Sequence, residues 1–216
     1  MKFKILLASN NQGKVTRYRK LAKEIDENIS LITPSEVGIA IEDVKEDGNL
    51  EENARKKALT YLGKTELPIL ANDAGFYIEG MGLIKNPKRI ALDRDEDSFT
   101  KEEIYKRVAD YWRGVAKSYG GEVDGAWVDA FVLAMPEGKI YTKGARREII
   151  LTDKVFGEAH LQFPIRPLYI SKTTNKPAVQ HTDEEELLEV APIKEALAFL
   201  FEKAKIIKIY KEKYEH

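Results

Sequence analysis

Apolar and polar positions follow two rhythms along this chain. Residues 2–8 form a short apolar run and read as a strand. The run halts at a small and polar stretch, Ala8-Ser9-Asn10-Asn11-Gln12-Gly13, with Lys14 behind it. From there Val15, Tyr18, Leu21, Ala22 and Ile25 recur at helical spacing, which predicts a helix over 14–27. A second short strand is predicted over 29–33, stopped by Pro34. Leu50, Ala54, Ala58, Leu59 and Leu62 share one face of a predicted helix over 49–64. Residues 67–71 read as a buried strand that ends in Asn72-Asp73-Ala74-Gly75, after which "GFYIEGMG" continues extended. Residues 82–99 read as a long polar loop.

The second half begins with a capping box, Thr100 with Glu103 three residues on, which opens a helix to about 118. Gly120-Gly121 breaks it. "DGAWVDAFVLAM" and "KIYTKGARREIILT" flank "PEGK" and predict a long β-hairpin. Residues 153–181 look irregular, with one short strand near 168–171. Thr182 and Glu185 form another capping box, and a helix follows to about Tyr210, interrupted at Pro192. Strand and helix alternate over residues 1–75, which predicts an α/β fold with a parallel or mixed sheet. No linker separates true domains, so 1–216 reads as one domain of two lobes around a central cleft.

Composition narrows the function classes. The chain has 216 residues, enough for one large α/β domain. Its 35 basic and 36 acidic residues leave a net charge of −1, which gives no ground for bulk attraction to nucleic acid or to an anionic membrane. No apolar run approaches the roughly 20 residues that span a bilayer. The basic N-terminal start leads into too short an apolar stretch for a signal peptide. There are no cysteines, so neither a disulfide framework nor a thiolate metal site is available, and a cytoplasmic location is expected.

Three segments carry candidate chemistry. The loop after the first strand would gather backbone N–H groups at a helix N-terminus, where an anion is favoured. Ser9 and Asn11 can donate hydrogen bonds there, Gly13 permits close approach, and Lys14 can neutralise a phosphate. The plainer alternative is an ordinary strand-to-helix turn with asparagine caps. In "EDVKEDGNLEENARKKA", Glu51 and Glu52 suit a first helical turn through the helix dipole alone, while Glu46 precedes the turn at Gly48 and could enter a cleft. The alternative is a solvated helix face. In "LPILANDAGF", Asp73 at the end of a buried strand lies where open α/β sheets place their chemistry, unless Asn72-Asp73 only forms a turn.

Taken in order, these segments resemble one family. "ASNNQGK" resembles the phosphate loop A-T-G-N-x-G-K, within which Asn10 and Gly13 also fall. "EDGNLEENARKKA" resembles E-x-G-x-(T)-x-x-E-N-A-x-x-K-A, one residue short after the glycine, and "LPILANDAGF" resembles L-P-x-x-A-D-D-S-G-L. The family is that of inosine triphosphate pyrophosphatases (Ham1-like), which hydrolyse deaminated purine nucleoside triphosphates to monophosphate and pyrophosphate. The resemblance implies an elongated mixed β-sheet with flanking helices in two lobes around a central cleft, a homodimer, a nucleoside triphosphate substrate and Mg²⁺. It implies phosphate contacts from Ser9, Asn11 and Lys14, Mg²⁺ ligation by Glu46 and Asp73, triphosphate contact by Lys57, and Asp73 as catalytic base. Asn72 and Ala74 stand in place of the motif's first aspartate and its serine.

The second half departs from that family. "LQFPIRPLYI" keeps Phe163 and Pro167 of the family's G-F-G-Y-D-P segment but puts Arg166 at its aspartate. The S-H-R near the last helix is replaced by Ala191-Pro192-Ile193. Phe163 is left as the candidate ring for stacking on a base. Arg166 and Lys194 are either substitute donors to the base or surface charges, and "MGLIKNPKRIALDRDEDSF" adds the basic residues Lys85, Lys88 and Arg89. The expectation is a Mg²⁺-dependent nucleoside triphosphate pyrophosphatase with altered base recognition. The alternative is a phosphate- or nucleotide-binding protein on the same fold that does not turn over.

Overall fold

The computed structural model describes residues 3–206 apart from 43, 93, 159, 161 and 162. The sequence expectations that touch Lys2, Asp43, Leu161, Gln162 and Tyr210 fall outside the described residues. Among the described residues, eight strands form one mixed sheet, accompanied by five helices. The strands are β1 (Phe3–Leu7), β2 (Ile29–Ile32), β3 (Ile69–Ile78), β4 (Gly82–Ile84), β5 (Glu122–Ala134), β6 (Ile140–Thr152), β7 (Tyr169–Ser171) and β8 (Lys176–Pro177). The helices are α1 (Gln12–Ile25), α2 (Leu50–Tyr61), α3 (Lys101–Ser118), α4 (Asp183–Glu189) and α5 (Ala191–Lys203).

Strand order is β2-β1-β3-β5-β6-β7-β8, with β4 added to β3. β1 pairs in parallel with β2, placing Ile5 opposite Leu31, and in parallel with β3, placing Leu6 opposite Ile69. Parallel neighbours need crossovers, and α1 and α2 supply them. β3–β4, β6–β7 and β7–β8 are antiparallel. β5 and β6 are joined by the turn at residues 135–139, where the Met135 N–H donates to the Lys139 carbonyl (2.8 Å).

The chain divides into two compact units. One contains the described residues up to 73, 129–145 and those from 193 on; the other contains 74–128 and 146–192. Their boundaries fall inside β3, β5, β6 and α5, not in linkers. The first unit buries Leu6, Ala54, Ala58, Ile69, Ala71 and Val132 in one cluster. The second is built around Phe76, Val108, Trp112, Ile149 and Leu168. The Trp112 ring meets Phe76 edge to face at 5.0 Å between centroids. α3 contributes because Ile104, Val108, Trp112 and Ala116 recur on one face, opened by the expected Thr100–Glu103 capping box.

Three expectations need correction. The strand expected to stop before Asn72 runs unbroken through Asn72, Asp73, Ala74 and Gly75, so Asp73 is inside β3 and not at its end. Both polar side chains find buried partners there, which removes the need for a turn. The 82–99 loop contains β4, whose Tyr77↔Leu83 pairing closes a hairpin against β3. Gly75 allows this approach, since a Cβ there would lie 2.9 Å from Leu83 Cδ1 and 3.1 Å from the Ile84 carbonyl oxygen. The last helix ends at Lys203, short of the expected length.

Candidate phosphate and metal site

The loop after β1 is organised by its own side chains. Asn11 is the N-cap of α1, with its Oδ1 accepting from the Lys14 backbone N–H (3.1 Å). Ser9 Oγ accepts from the Asn11 N–H (3.3 Å). Asn11 thus caps α1, as the plainer alternative expected, and capping does not exclude an anion beside it. Capping uses the amide oxygen and leaves an NH₂ that can donate. The first turn of α1 holds no acidic residue, so nothing there offsets the positive end of the helix dipole. Ser9, Asn10, Asn11, Lys14, Glu46 and Lys57 all line one pocket of about 250 Å³. That is below the roughly 300–1,000 Å³ of sites that engulf a whole small molecule, and it suits a phosphate tail. Gly13 lies in the first turn of α1.

α2 brings the second set. Asn49 and Glu52 form a reciprocal capping box that fixes its start. One turn on, Asn53 Oδ1 accepts from the Gly48 N–H (2.9 Å), and its Nδ2 donates to Asp73 Oδ2 (3.0 Å). Lys57 Nζ lies 2.8 Å from Asp73 Oδ1 and 2.7 Å from Glu46 Oε1. Asp73 is buried at 5% exposure, whereas the Glu46 side chain is about half exposed. Burial works against the Lys57 charge, but its hydrogen bonds to Asp73 and Glu46 prevail and raise its pKa above the ordinary lysine value.

β3 brings the third. Asn72 Oδ1 accepts from Lys14 Nζ (2.7 Å) and from the Tyr18 hydroxyl (2.9 Å). Its Nδ2 donates to Asp129 Oδ1 (3.2 Å), on β5. Burial pushes the Lys14 pKa down, and Asp129 is the strongest charge opposing that fall. Asn53, Tyr18 and Asp129 were missed from sequence. Asp129 did leave a signal, as a lone acid in the apolar run "AWVDAFVLAM".

Two ammonium groups, Lys14 and Lys57, thus face three carboxylates, Glu46, Asp73 and Asp129. Before any ligand enters, the balance is one negative charge, unsuited to a polyanion unless a cation accompanies it. Glu46 and Asp73 already converge on one cation, the Lys57 ammonium. Hard carboxylate oxygens of this kind, together with water and phosphate oxygens, are what Mg²⁺ takes. The residues present therefore fit a Mg²⁺ site.

Comparison with known proteins bears on the whole arrangement. Residues 5–117, just over half of the chain, match the sequence profile of the Ham1 family. The chain belongs to the Ham1 family. It is 35% identical over 79 residues to a dITP/XTP pyrophosphatase of Anaeromyxobacter sp. (strain Fw109-5), covering 36% of this chain and 34% of that relative. It is 33% identical over 115 residues to a dITP/XTP pyrophosphatase of Clostridium perfringens (strain 13 / Type A), covering 49% of this chain and 54% of the relative. The matches thus span a third to about half the length of these curated relatives. The solved Staphylococcus aureus Ham1 protein superposes with a TM-score of 0.70 at 19% identity, over 93% of this chain and 99% of the other.

Most Ham1-type positions named from sequence come together in the first unit: Ser9, Asn10, Asn11, Lys14, Glu46, Lys57 and Asp73. Ala74 and Phe163 belong to the second unit. The Phe163 N–H donates to the His160 carbonyl (3.0 Å), and the two rings lie 5.1 Å apart. Arg166 pairs with Glu186 (2.5 Å) and donates to the Ala178 carbonyl (2.8 Å), while Lys194 pairs with Glu24 (3.1 Å). Lys88 pairs with Glu96 and Arg89 with Asp95. No helix among the described residues is long and apolar enough to cross a membrane.

The second unit holds another buried polar cluster. His181 Nδ1 lies 3.1 Å from Glu189 Oε2 and 3.7 Å from Glu186 Oε2, and its Nε2 lies 2.8 Å from Thr174 Oγ1. The donor set resembles a metal site. Its two carboxylates, however, already face Arg147 (3.5 Å) and Arg166 (2.5 Å), and Tyr169 donates to Glu189 (3.1 Å). A divalent cation would have to displace guanidinium groups from a balanced network, so this is an internal ion-pair cluster.

Proposed function

We propose that the chain is a Mg²⁺-dependent nucleoside triphosphate pyrophosphatase, cleaving the α–β anhydride to give a monophosphate and pyrophosphate. The observation that carries this is the convergence of Glu46 and Asp73 on one cation position beside a polar loop at a helix N-terminus. The names of the matched relatives, dITP/XTP pyrophosphatases, make deaminated purine nucleotides the first substrates to test. A cytoplasmic homodimer belongs to the same reading.

A nucleoside triphosphate carries about four negative charges, so the pocket must neutralise it before water can approach phosphorus. Loop N–H groups, Ser9, Asn11 and Lys14 receive the phosphate oxygens. Glu46 and Asp73 would hold the Mg²⁺, which when bound offsets phosphate charge and makes a bound water more acidic. Lys57, which lines the same pocket, would offset charge on the leaving pyrophosphate. Asp73 is held by Asn53 and Lys57 and retains lone pairs to orient the attacking water and take its proton.

The test is pyrophosphate release from a panel of triphosphates, with and without Mg²⁺. Turnover that depends on Mg²⁺ is expected. Asp73→Asn should abolish it in a folded protein, and Glu46→Gln should raise the Mg²⁺ concentration required. Asp73→Asn turnover within about threefold of wild type would remove Asp73 from the chemistry, since general-base contributions are usually about 10²–10⁴-fold. Triphosphate binding without turnover of any panel member would instead make the protein a binding module.

A further inference from the structure

Asn72 has neighbours that fix which way round its amide sits. Its Nδ2 lies 3.2 Å from Asp129 Oδ1, 3.2 Å from the Ala130 carbonyl oxygen and 3.1 Å from the Asp73 carbonyl oxygen. Its Oδ1 accepts from Lys14 Nζ and the Tyr18 hydroxyl. Turned round, the NH₂ would face an ammonium and the oxygen would face three acceptors. The only charged one of those acceptors is Asp129, and hydrogen bonds to a buried carboxylate are the stronger kind. Asp129 is 4% exposed and stands behind Asn72, off the pocket wall.

We propose that Asp129 is a positioning residue of the phosphate pocket: through the Asn72 amide it holds the Lys14 ammonium towards the loop, and it supplies the buried charge that this ammonium requires. The inference rests on the phosphate-pocket reading above. It deepens that reading by adding a carboxylate that touches neither phosphate nor metal.

Electrostatics agrees with the geometry. Burial disfavours the charged form of Lys14. Asp129 opposes this most, Lys57 adds to it, and Asp73 and Glu46 oppose it more weakly. Tyr18, on the same helix, meets the same amide oxygen as Lys14. A carboxylate at position 72 would face Lys14 and Tyr18 directly, so the charge should be movable between 129 and 72. Asn at 129 with Asp at 72 keeps one carboxylate and one amide in contact with their places exchanged, at the cost of the Asn72 donations to the Ala130 and Asp73 carbonyl oxygens.

The experiment follows Lys14 itself. Protein labelled in its lysine side chains is titrated by NMR, with the Lys14 signal assigned by its loss in Lys14→Arg. Asp129→Asn should lower the Lys14 midpoint by about one pH unit or more, as loss of a close opposite charge does. It should also weaken binding of inorganic tripolyphosphate at alkaline pH. The double variant Asn72→Asp/Asp129→Asn should return both to wild-type behaviour, which a merely space-filling role of Asp129 would not produce. An unchanged Lys14 midpoint in folded Asp129→Asn overturns the proposal. If that variant does not fold, the double variant decides: a folded protein with the wild-type midpoint supports the proposal, and a depressed midpoint or failure to fold overturns it. Wild-type protein that ignores tripolyphosphate would overturn the pocket reading alone, with the lysine titration still deciding on Asp129.

Discussion

On the proposed reading of the pocket, the charge of Lys14 sets the pH range in which an anion is held. Its ordinary value would be 10.5, and burial lowers it. Binding needs the charged form, so affinity for tripolyphosphate should fall as pH rises through the Lys14 midpoint, below the ordinary lysine range. Lys14→Arg keeps its charge throughout, because a guanidinium does not deprotonate in proteins. Calorimetric titrations at rising pH, up to the ordinary lysine range, should therefore show an alkaline loss in wild type that is absent in Lys14→Arg. A wild-type affinity with the same pH dependence as that of Lys14→Arg would mean that Lys14 does not hold the anion. At this scale the sequence showed Lys14, Lys57, Glu46 and Asp73 through their motifs. It did not show Asp129, because the partner of a buried acid is chosen by which strands become neighbours.

At the scale of elements, strand spacing is set by side chains that are missing. A Cβ on Gly125 in β5 would lie 2.7 Å from the Tyr77 carbonyl oxygen and 3.0 Å from Ile78 Cδ1. The first of these is backbone in β3 and cannot swing aside. Gly125→Ala should cost about 1–3 kcal/mol, the usual range for overpacking. Gly144 in β6 makes the control, since its nearest foreign atom would be the Asp129 carbonyl oxygen at 3.6 Å, an ordinary contact. Denaturant melts should show Gly125→Ala strongly destabilised and Gly144→Ala within about 0.5 kcal/mol of wild type. Equal losses in the two would mean that close approach does not govern these sites. Helix starts were legible here, with Thr100–Glu103 and Thr182–Glu185 capping as expected, because a cap is a matter of four consecutive residues. Strand β3 was misjudged at Asn72-Asp73 because turn propensity is local, while the partners that keep those residues in a strand come from α1, α2 and β5.

For the molecule as a whole, the prediction concerns selectivity among bases. The two cations offered by sequence as substitutes for the lost S-H-R both have carboxylate partners within the chain, Arg166 part-buried against Glu186 and Lys194 at the surface with Glu24. Strong rejection of a wrong base needs buried polar groups that go unpaired when it binds. With those donors occupied, stacking would carry more of the contact with a bound base, and stacking tolerates any base. The expected kcat/KM values for inosine, xanthosine and ordinary purine triphosphates lie within roughly tenfold of one another. Steady-state kinetics on the panel would contradict this with a preference above about a thousandfold, a factor that requires edge-reading by polar groups.

The sequence by itself determined the α/β class, the order of nearly all elements, and the loop, helix and strand that carry the proposed phosphate site. Each of these rests on periodicity, on capping or on a short motif, all of them properties of neighbours along the chain. The tertiary structure alone decided that β3 continues through Asn72 and Asp73, that Lys57 bridges Glu46 and Asp73, and that Asp129 stands behind Asn72. It also decided that Arg166 is paired with Glu186. A buried charge is stable only beside its partner, and here the partners range from 11 residues away in the chain, Glu46 for Lys57, to 57, Asn72 for Asp129.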